Sequence, residues 1–468
     1  MTKTNEYKKD LKPRHIFFIA LGAAIGTGLF LGSATAIHQT GPSVLFAYII
    51  CGISIFFTMR AMGEMALQAP ELHTFGSHAS KFLSPFAGFT AGWSYVMQMA
   101  CVCLADITAF ATYMGFWYPN VSPWIWTLAL ALIICAINLS AVKIYGELEF
   151  ILSSVKVIAI FTMILGGLYL IYDGFNSVPC DFSDIHKVTS WSYWFPNGLS
   201  GFIKCLPLVI YSFGGIEVIG ITATEAKDPK RSIPKAMNAI PFRIVFFYVM
   251  VLGILINLKP WQEISTNGSP FVTICSALGI HSTANLVNIL VITAAVSAIN
   301  SDIYGSSRMI YSLSREGHAF KKLNKLSSLG TPVYAIFVML TVLVSGIIFN
   351  YLKHDGLFVL MADLAAVASL IGWIIILSAE IGMRIKLKKQ NQGIIFPVPL
   401  WPVGSLLSIL FMVFSTMIMS YSNITAFWAG VAWMAYLAIV YYGLKHFDKS
   451  GKLVYKKPIT NYNESKTT

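Results

Sequence analysis

The stretch Leu21–Phe30, "LGAAIGTGLF", lies within a run from Ile16 to Ile37 that contains no charged residue. Three glycines and a threonine occupy the middle of a segment that is otherwise typical of a membrane helix. Glycine in a helix interior is less favourable than alanine by roughly 1 kcal/mol. The stretch therefore predicts a membrane helix that is interrupted near its centre.

The composition predicts an all-α integral membrane protein. The 468 residues are 56% hydrophobic and only 12% charged, whereas soluble domains carry about 25% charged residues. A membrane helix needs about 20 predominantly apolar residues. Runs of this kind predict twelve transmembrane helices, at 16–37, 43–65, 84–113, 122–142, 150–172, 198–222, 239–258, 271–307, 331–352, 356–379, 400–420 and 424–443.

The chain divides into a tail over 1–15, one transmembrane domain over 16–445 and a second tail over 446–468. The net charge of +12 follows the predicted topology, because most lysines and arginines fall in the tails and in alternate loops. Positive residues favour the cytoplasmic side, which predicts that both termini are cytoplasmic. We therefore expect a lipid bilayer as partner and no nucleic acid. No cleaved signal peptide is expected either.

A second interruption occurs in the sixth predicted span, "LPLVIYSFGGIEVIGITATEA", where Gly214 and Gly215 precede Glu217. If two halves of five spans are followed by two extra spans, the first and sixth spans occupy equivalent positions. Broken helices at equivalent positions indicate a transporter with inverted repeats. The alternative is that these glycines only allow helices to pack closely.

Longer motifs resemble a known family. "LKPRHIFFIALGAAIGTGLFLGSATAI", "RAMGEMA", "YSFGGIEVIGITATEAKDPKRSIPKAMNAIP" and "SAINSDIYGSSRMIYSLSREG" are similar to the bacterial amino acid permeases of the amino acid–polyamine–organocation superfamily. "CLADITAFATYMGFWYP" most resembles the proline-specific and histidine permeases. The resemblance implies a leucine-transporter-like fold of five plus five inverted helices, over about 16–172 and 198–380, with two extra helices over 400–443.

The resemblance also implies where an amino acid binds. Its carboxylate is expected at Gly26, Thr27 and Gly28, since helix ends offer free N–H groups. Its ammonium is expected at backbone carbonyls of both breaks, with Tyr211 as an aromatic gate. The residues concerned are Ala23, Ala24, Tyr211, Phe213, Gly214 and Gly215.

Charged residues at apolar depth are functional candidates. Lys156 resembles the lysine that replaces a structural sodium ion in the superfamily, which favours proton coupling; snorkelling to the inner face is the alternative. Glu217 is a second candidate for proton coupling. Roles in specificity or gating are expected for Asp106, Glu225, Ser301, Asp302 and Asp363, although helix packing or surface ion pairs would explain the same residues.

Two further interpretations concern neighbouring side chains. Arg60 and Glu64 are four residues apart, which predicts a structural ion pair. Ser297 and Ser301 share a helix face that is expected to meet Lys156. Asp363 departs from the small neutral residue expected in proline-type permeases and favours a substrate with a hydrogen-bonding or cationic side chain, such as histidine.

The resulting expectation is a secondary transporter of the cytoplasmic (inner) membrane that imports a proline- or histidine-like amino acid by proton symport. An exchanger of the same fold is the main alternative, and an amino acid channel or receptor is a third. An enzyme is not expected, since no catalytic pair or metal-ligand spacing is present in the sequence. No cofactor is expected beyond the coupling proton. Oligomeric state and the identity of the amino acid are left open.

Overall fold

The computed structural model describes residues 18–19, 22–23, 25–139, 142–174, 190–222, 228–264, 269–272, 281–328, 330–352 and 356–448. Within these ranges all regular secondary structure is helical. The predicted all-α class is therefore confirmed for the described chain. Ala24 and Glu225, both predicted site residues, lie outside it.

The helices follow the predicted hydrophobic runs. In the first span, a π-helical turn at Gly28–Gly32 follows the described residues 18–19, 22–23 and 25–27. The α-helices, numbered α1 to α15, are Ser33–Thr40, Val44–Gln68, Phe75–Phe82, Pro85–Gly115, Pro123–Asn138, Val142–Gly174, Trp191–Trp194, Gly198–Tyr211, Val218–Thr222, Pro229–Leu258, His281–Arg315, Val333–Leu352, Leu357–Lys389, Val403–Ser422 and Ile424–Asp448.

Nine helical segments of the described chain are long and apolar enough to cross a membrane. The first of them, Gly28–Gln68, covers two predicted spans that are separated by a short turn at Gly41–Ser43. The predicted fourth span corresponds to the shorter apolar helix α5. The sixth is divided into α8 and α9. The chain is therefore a multi-pass membrane protein with helix at each predicted position.

Several helices extend beyond the apolar runs. Helix α10 begins at Pro229 and not at 239, and α13 continues to Lys389, ten residues beyond the predicted end. The added turns carry lysines and arginines, which a hydropathy criterion assigns to loops although they are good helix formers. Hydropathy thus located the apolar segment of each helix correctly and its ends less well.

Side-chain caps fix the start of two helices. The Ser84 hydroxyl accepts a hydrogen bond from the Ala87 N–H at 3.1 Å, with Pro85 at the first position of α4. The Thr74 hydroxyl accepts from the Ser77 N–H at 3.3 Å at the start of α3. Both arrangements satisfy N–H groups that a helix leaves unpaired.

Helix α4 forms the centre of the bundle, where it packs against α13 and α11. Helix α2 packs against α10. In contrast, α14 and α15 expose large apolar side chains such as Leu407, Leu410 and Trp428, as expected for helices that face lipid. The broken first span packs against α8, which also contacts α13, and the breaks of the two spans form the candidate site.

Candidate functional site

The two breaks are in direct contact. A Cβ atom on Gly28 would lie 2.8 Å from the Cα atom of Ser212. A Cβ atom on Gly215 would lie 2.7 Å from the Ala23 carbonyl oxygen. Real Cβ atoms do not approach other atoms so closely, so glycine is required at both positions.

Gly215 has a second reason to be glycine. Its φ angle is +92°, in the region that residues with a side chain rarely adopt. The chain turns over Ser212–Glu217, between the end of α8 at Tyr211 and the start of α9 at Val218. The π-helical turn at Gly28 is a comparable irregularity in the first span, and such turns are frequent at functional sites.

Three polar side chains meet beside the first break. The Thr27 hydroxyl donates a hydrogen bond to Oδ1 of Asp106. The Tyr211 hydroxyl lies 3.2 Å from Thr27 Oγ1. All three side chains are buried, so the first span, α4 and α8 are joined by polar contacts inside the apolar bundle. All three are residues predicted from the sequence, and the structure brings them together.

Asp106 retains an acceptor that the described protein does not fill. Its Oδ2 atom is buried and has no hydrogen-bond partner among the described residues. The hydroxyl of Tyr113, seven residues further along α4, is also buried without a hydrogen-bond partner among the described residues. Residues seven apart lie on one face of a helix. Because unsatisfied buried polar groups are unfavourable, this face of α4 is suited to a ligand with hydrogen-bonding groups.

Glu217 connects the second break to two neighbouring helices. Its Oε1 atom accepts hydrogen bonds from Gln98 Nε2 at 3.0 Å and from the Trp373 indole. Its Oε2 atom accepts from the Gly215 N–H at 3.0 Å. The carboxyl group thereby holds the turn after α8 against α4 and α13. Gln98 and Trp373 were not predicted, because neutral polar side chains give no signal in an apolar run.

The other predicted residues of the second break differ in their surroundings. The Phe213 ring stacks on Tyr248 and contacts Tyr48, within the apolar core. Gly214 lies near the carbonyl of Tyr211, which already accepts a hydrogen bond from the Gly214 N–H at 2.9 Å. Tyr211 packs edge-on against Phe358 at the start of α13, with ring centroids 5.9 Å apart.

Lys156 contacts the backbone of the first span. It is 1% exposed, so its side chain does not snorkel out of the bundle. Its ammonium donates a 2.6 Å hydrogen bond to the Gly22 carbonyl. The serine face of α11 was predicted to meet Lys156, but its hydrogen bonds go to other residues of α6. Ser297 donates to Glu149, and the Ser301 hydroxyl accepts from Tyr145 at 3.5 Å.

Asp302 and Asp363 have separate environments. Asp302 is buried, and the Cys103 thiol lies 3.9 Å from its Oδ2 atom. Asp363 accepts a hydrogen bond from Asn423 at the start of α15. Asp363 therefore bonds to the start of a helix at the edge of the bundle.

The ion pair predicted between Arg60 and Glu64 is not the one that forms. Glu64 binds Arg384 of α13 through two hydrogen bonds, at 2.7 and 2.5 Å. Arg60 instead donates to Asn238 and to the Pro397 carbonyl. The four-residue spacing was misleading because tertiary partners outcompeted the local one.

A second carboxylate shares Arg384. Glu380 lies one turn before the arginine, with 2.8 Å between its Oε1 atom and Arg384 Nε. Both Glu64 and Glu380 are fully buried. The Val398 N–H also donates to Glu64 at 2.7 Å, which fastens the segment before α14 to the ends of α2 and α13.

Among the described residues, no group of three or more metal-binding side chains is close enough together to hold an ion. What the site does contain is a pair of helix breaks with hydroxyl, carboxyl and amine groups around them. Such an arrangement can hold both charged ends of a small zwitterion, since broken helices present N–H groups at one end and carbonyls at the other.

Comparison with known proteins gives consistent results. The family model described as amino acid permease matches residues 15–450. The chain is 39% identical, over 95% of its length and 96% of the relative's, to the uncharacterized amino acid permease YtnA of Bacillus subtilis. It is also 39% identical, over 93% of its length and 95% of the relative's, to the aromatic amino acid transport protein AroP of Escherichia coli K12.

Proposed function

The chain belongs to the amino acid permease family, and from this membership we propose a proton-coupled symporter that imports an amino acid across the bacterial cytoplasmic membrane. Members of the family are transporters and not enzymes. The proposal includes the leucine-transporter-like arrangement of twelve helices, with both termini in the cytoplasm.

The observation that carries the proposal is the direct contact between the two glycine breaks. Gly28 lies against Ser212, and Gly215 lies against Ala23. In the proposed site the substrate carboxylate binds at Gly26, Thr27 and Gly28, where helix N–H groups favour an anion. The ammonium binds carbonyls on the facing sides of the breaks. Import then proceeds by alternating access around this site.

Proton coupling is supported by the position of Lys156. A buried ammonium is costly unless it is paired. Within the described chain Lys156 donates its hydrogen bond to the Gly22 carbonyl of the broken span and not to a carboxylate. Loss of its proton would remove the charge from that contact. The lysine can thus link protonation to the position of the first span. Glu217 is the second proposed coupling group, because it binds the other break directly.

Asp106 supports a substrate with a donor on its side chain. Its Oδ2 atom is a buried acceptor without a partner among the described residues. An imidazole N–H can occupy it, whereas the side chain of proline has no donor. Of the two substrate types that the sequence suggested, we therefore propose histidine-like over proline-like.

An aromatic amino acid is the second candidate. The relatives named AroP are aromatic amino acid transport proteins by description, and the rings of Tyr211 and Phe358 meet edge-on next to Thr27. Aromatic rings favour such contacts. Tryptophan and tyrosine also carry a donor that could reach Asp106.

Uptake into proteoliposomes tests the proposal. Labelled histidine, phenylalanine and proline are offered separately, with an inside-alkaline pH gradient and without one. The proposal predicts gradient-driven accumulation of histidine. Accumulation of phenylalanine alone would favour the second candidate. Uptake that requires preloading with amino acid, and ignores the gradient, would show exchange and contradict symport.

A further inference from the structure

Glu149 is a buried carboxyl group that the proposed function does not use. It is 0% exposed, near the start of α6. Its Oε1 atom accepts hydrogen bonds from Ser153 at 3.0 Å and from Ser297. Its Oε2 atom accepts from Asn300 Nδ2 at 3.1 Å. Both carboxyl oxygens are therefore bonded, and two of the three donors come from α11.

The orientation of these donors is fixed by a further amide. Asn138 of α5 donates to Asn300 Oδ1 at 2.9 Å, so Asn300 must turn its NH₂ group toward Glu149. An amide NH₂ can only donate, and an ionised carboxylate can only accept. Donors on both oxygens stabilise the charged form of a carboxyl group. The carboxyl group of Glu149 is thus held in place by neutral donors on both of its oxygens.

Gly22 joins Glu149 to Lys156. Glu149 and Lys156 are seven residues apart on α6, which places them on one face and about 10 Å apart along the helix. Lys156 donates to the Gly22 carbonyl at 2.6 Å. A Cβ atom on Gly22 would also lie 2.7 Å from Glu149 Oε1. The backbone of the first span at Gly22 therefore lies close to both the carboxyl group and the ammonium group.

We propose that Glu149 is the fixed counter-charge of Lys156, and that it positions the lysine ammonium on the Gly22 carbonyl. This inference rests on the proposed proton coupling. When Lys156 is protonated, the first span is held to α6 by a hydrogen bond from a cation. When Lys156 releases its proton to water, the carboxylate remains, and the hydrogen bond from the now neutral amine to the span is weaker because it has lost its charge.

The other carboxyl groups that act electrostatically on Lys156 differ from Glu149. Asp106 of α4 and Asp302 of α11 both do so. Asp106 has one oxygen without a partner among the described residues, and the contact of Asp302 with the Cys103 thiol is long, at 3.9 Å. Of these three carboxyl groups, Glu149 alone has neutral donors on both oxygens among the described residues. Its position relative to Lys156 is therefore the most firmly fixed of the three.

The test is the pH profile of uptake in proteoliposomes for wild type, Glu149→Gln and Glu147→Gln. The probe is a radiolabelled mixture of the twenty amino acids, so the substrate need not be known. Without its counter-charge the ammonium is less stable, so the Glu149→Gln midpoint should move to lower pH by about one unit, which is tenfold in proton concentration. Glu147, two residues away and half-buried, is the matched control and should leave the midpoint unchanged.

A purely structural role is excluded by a double variant. In the Lys156→Ala background, Glu149→Gln should cause no further shift, because the two residues act as one unit. A Glu149→Gln profile that coincides with the wild-type profile would overturn the inference. So would an equal shift in the presence and in the absence of Lys156.

If Glu149→Gln does not fold, Ser297→Ala takes its place, since it removes one donor from the carboxylate. Its midpoint should move in the same direction by a smaller amount, and an unchanged midpoint would overturn the inference. The test also distinguishes failure of the proposed function from failure of this inference. Wild-type uptake that is insensitive to the pH gradient would reject proton coupling, and the inference would fall with it. A gradient-driven wild type with an unshifted Glu149→Gln would reject only the inference.

Discussion

Gly28 packs on Ser212 so closely that a Cβ atom at Gly28 would lie 2.8 Å from the Ser212 Cα atom. The atom it would meet belongs to the backbone, which cannot rotate away as a side chain can. The relative position of the two broken helices therefore depends on the absence of a side chain at Gly28.

Gly28→Ala should consequently separate the two breaks. We expect amino acid uptake to fall at least tenfold, and the free energy of unfolding to fall by about 1–3 kcal/mol, as for overpacked cores. Gly166→Ala in α6 is the matched control, because nothing lies within 4 Å of a Cβ atom there. It should preserve uptake and raise helix stability slightly. Equal uptake by the two variants would contradict the close packing of the breaks.

Asp106→Asn should change selectivity more than stability. The amide oxygen can still accept from Thr27, but Oδ2 is replaced by a donor. We expect histidine uptake to fall more than tenfold relative to phenylalanine uptake, measured in competition. Asp363→Asn is the control, since Asp363 is bonded to Asn423, and it should leave the ratio unchanged. A constant ratio in Asp106→Asn would show that the Oδ2 atom does not contact the substrate side chain.

Arg384→Ala should be strongly destabilising, because it leaves Glu64 and Glu380 buried without their shared cation. Removal of one partner from a buried ion pair costs about 3–5 kcal/mol. Lys388→Ala, one turn further along α13 and exposed, should change stability by less than about 0.5 kcal/mol. Thermal unfolding in detergent measures both variants. Similar melting temperatures for the two would show that Arg384 is not essential to this cluster.

His318 predicts a pH dependence of stability. Burial lowers the pKa of His318 from 6.5 to about 4, between the Phe89 and Tyr441 rings. Between pH 6.5 and about pH 4, His318 is therefore protonated in the unfolded chain but neutral in the folded chain. Stability should fall between pH 6.5 and about pH 4 by up to roughly 3 kcal/mol. The effect should disappear in His318→Gln, and an identical acid-induced decline in that variant would assign it to other groups.

Much of this arrangement could be predicted from the sequence. Hydropathy located the membrane helices because each contains a continuous apolar segment, whether that segment faces lipid or the interior of the bundle. The glycine pairs located both breaks because glycine is unfavourable in a helix unless close packing or an irregular backbone requires it. Family resemblance pointed to Thr27 and Tyr211, and charge at apolar depth pointed to Asp106. That the three meet could not be predicted, since they lie up to 184 residues apart.

The rest depended on tertiary partners that no local pattern reveals. Arg384 and Glu64 are separated by 320 residues, and the local candidate Arg60 was the wrong partner. Glu149 was missed because it falls one residue before the predicted fifth span, although its spacing from Lys156 was available. Trp373 carries no charge, and its hydrogen bond to Glu217 becomes visible only when α13 is placed beside α9.

The central claim is that the paired breaks hold the carboxylate and ammonium groups that all amino acids share. The most direct measurement is thermal unfolding of the purified protein with the amino acid that stabilises it most, with the methyl ester of that amino acid and with its deaminated analogue. A ligand that binds only the folded state raises the melting temperature. The account predicts an increase with the amino acid and none with either analogue. An equal increase with the ester or with the deaminated compound would contradict it.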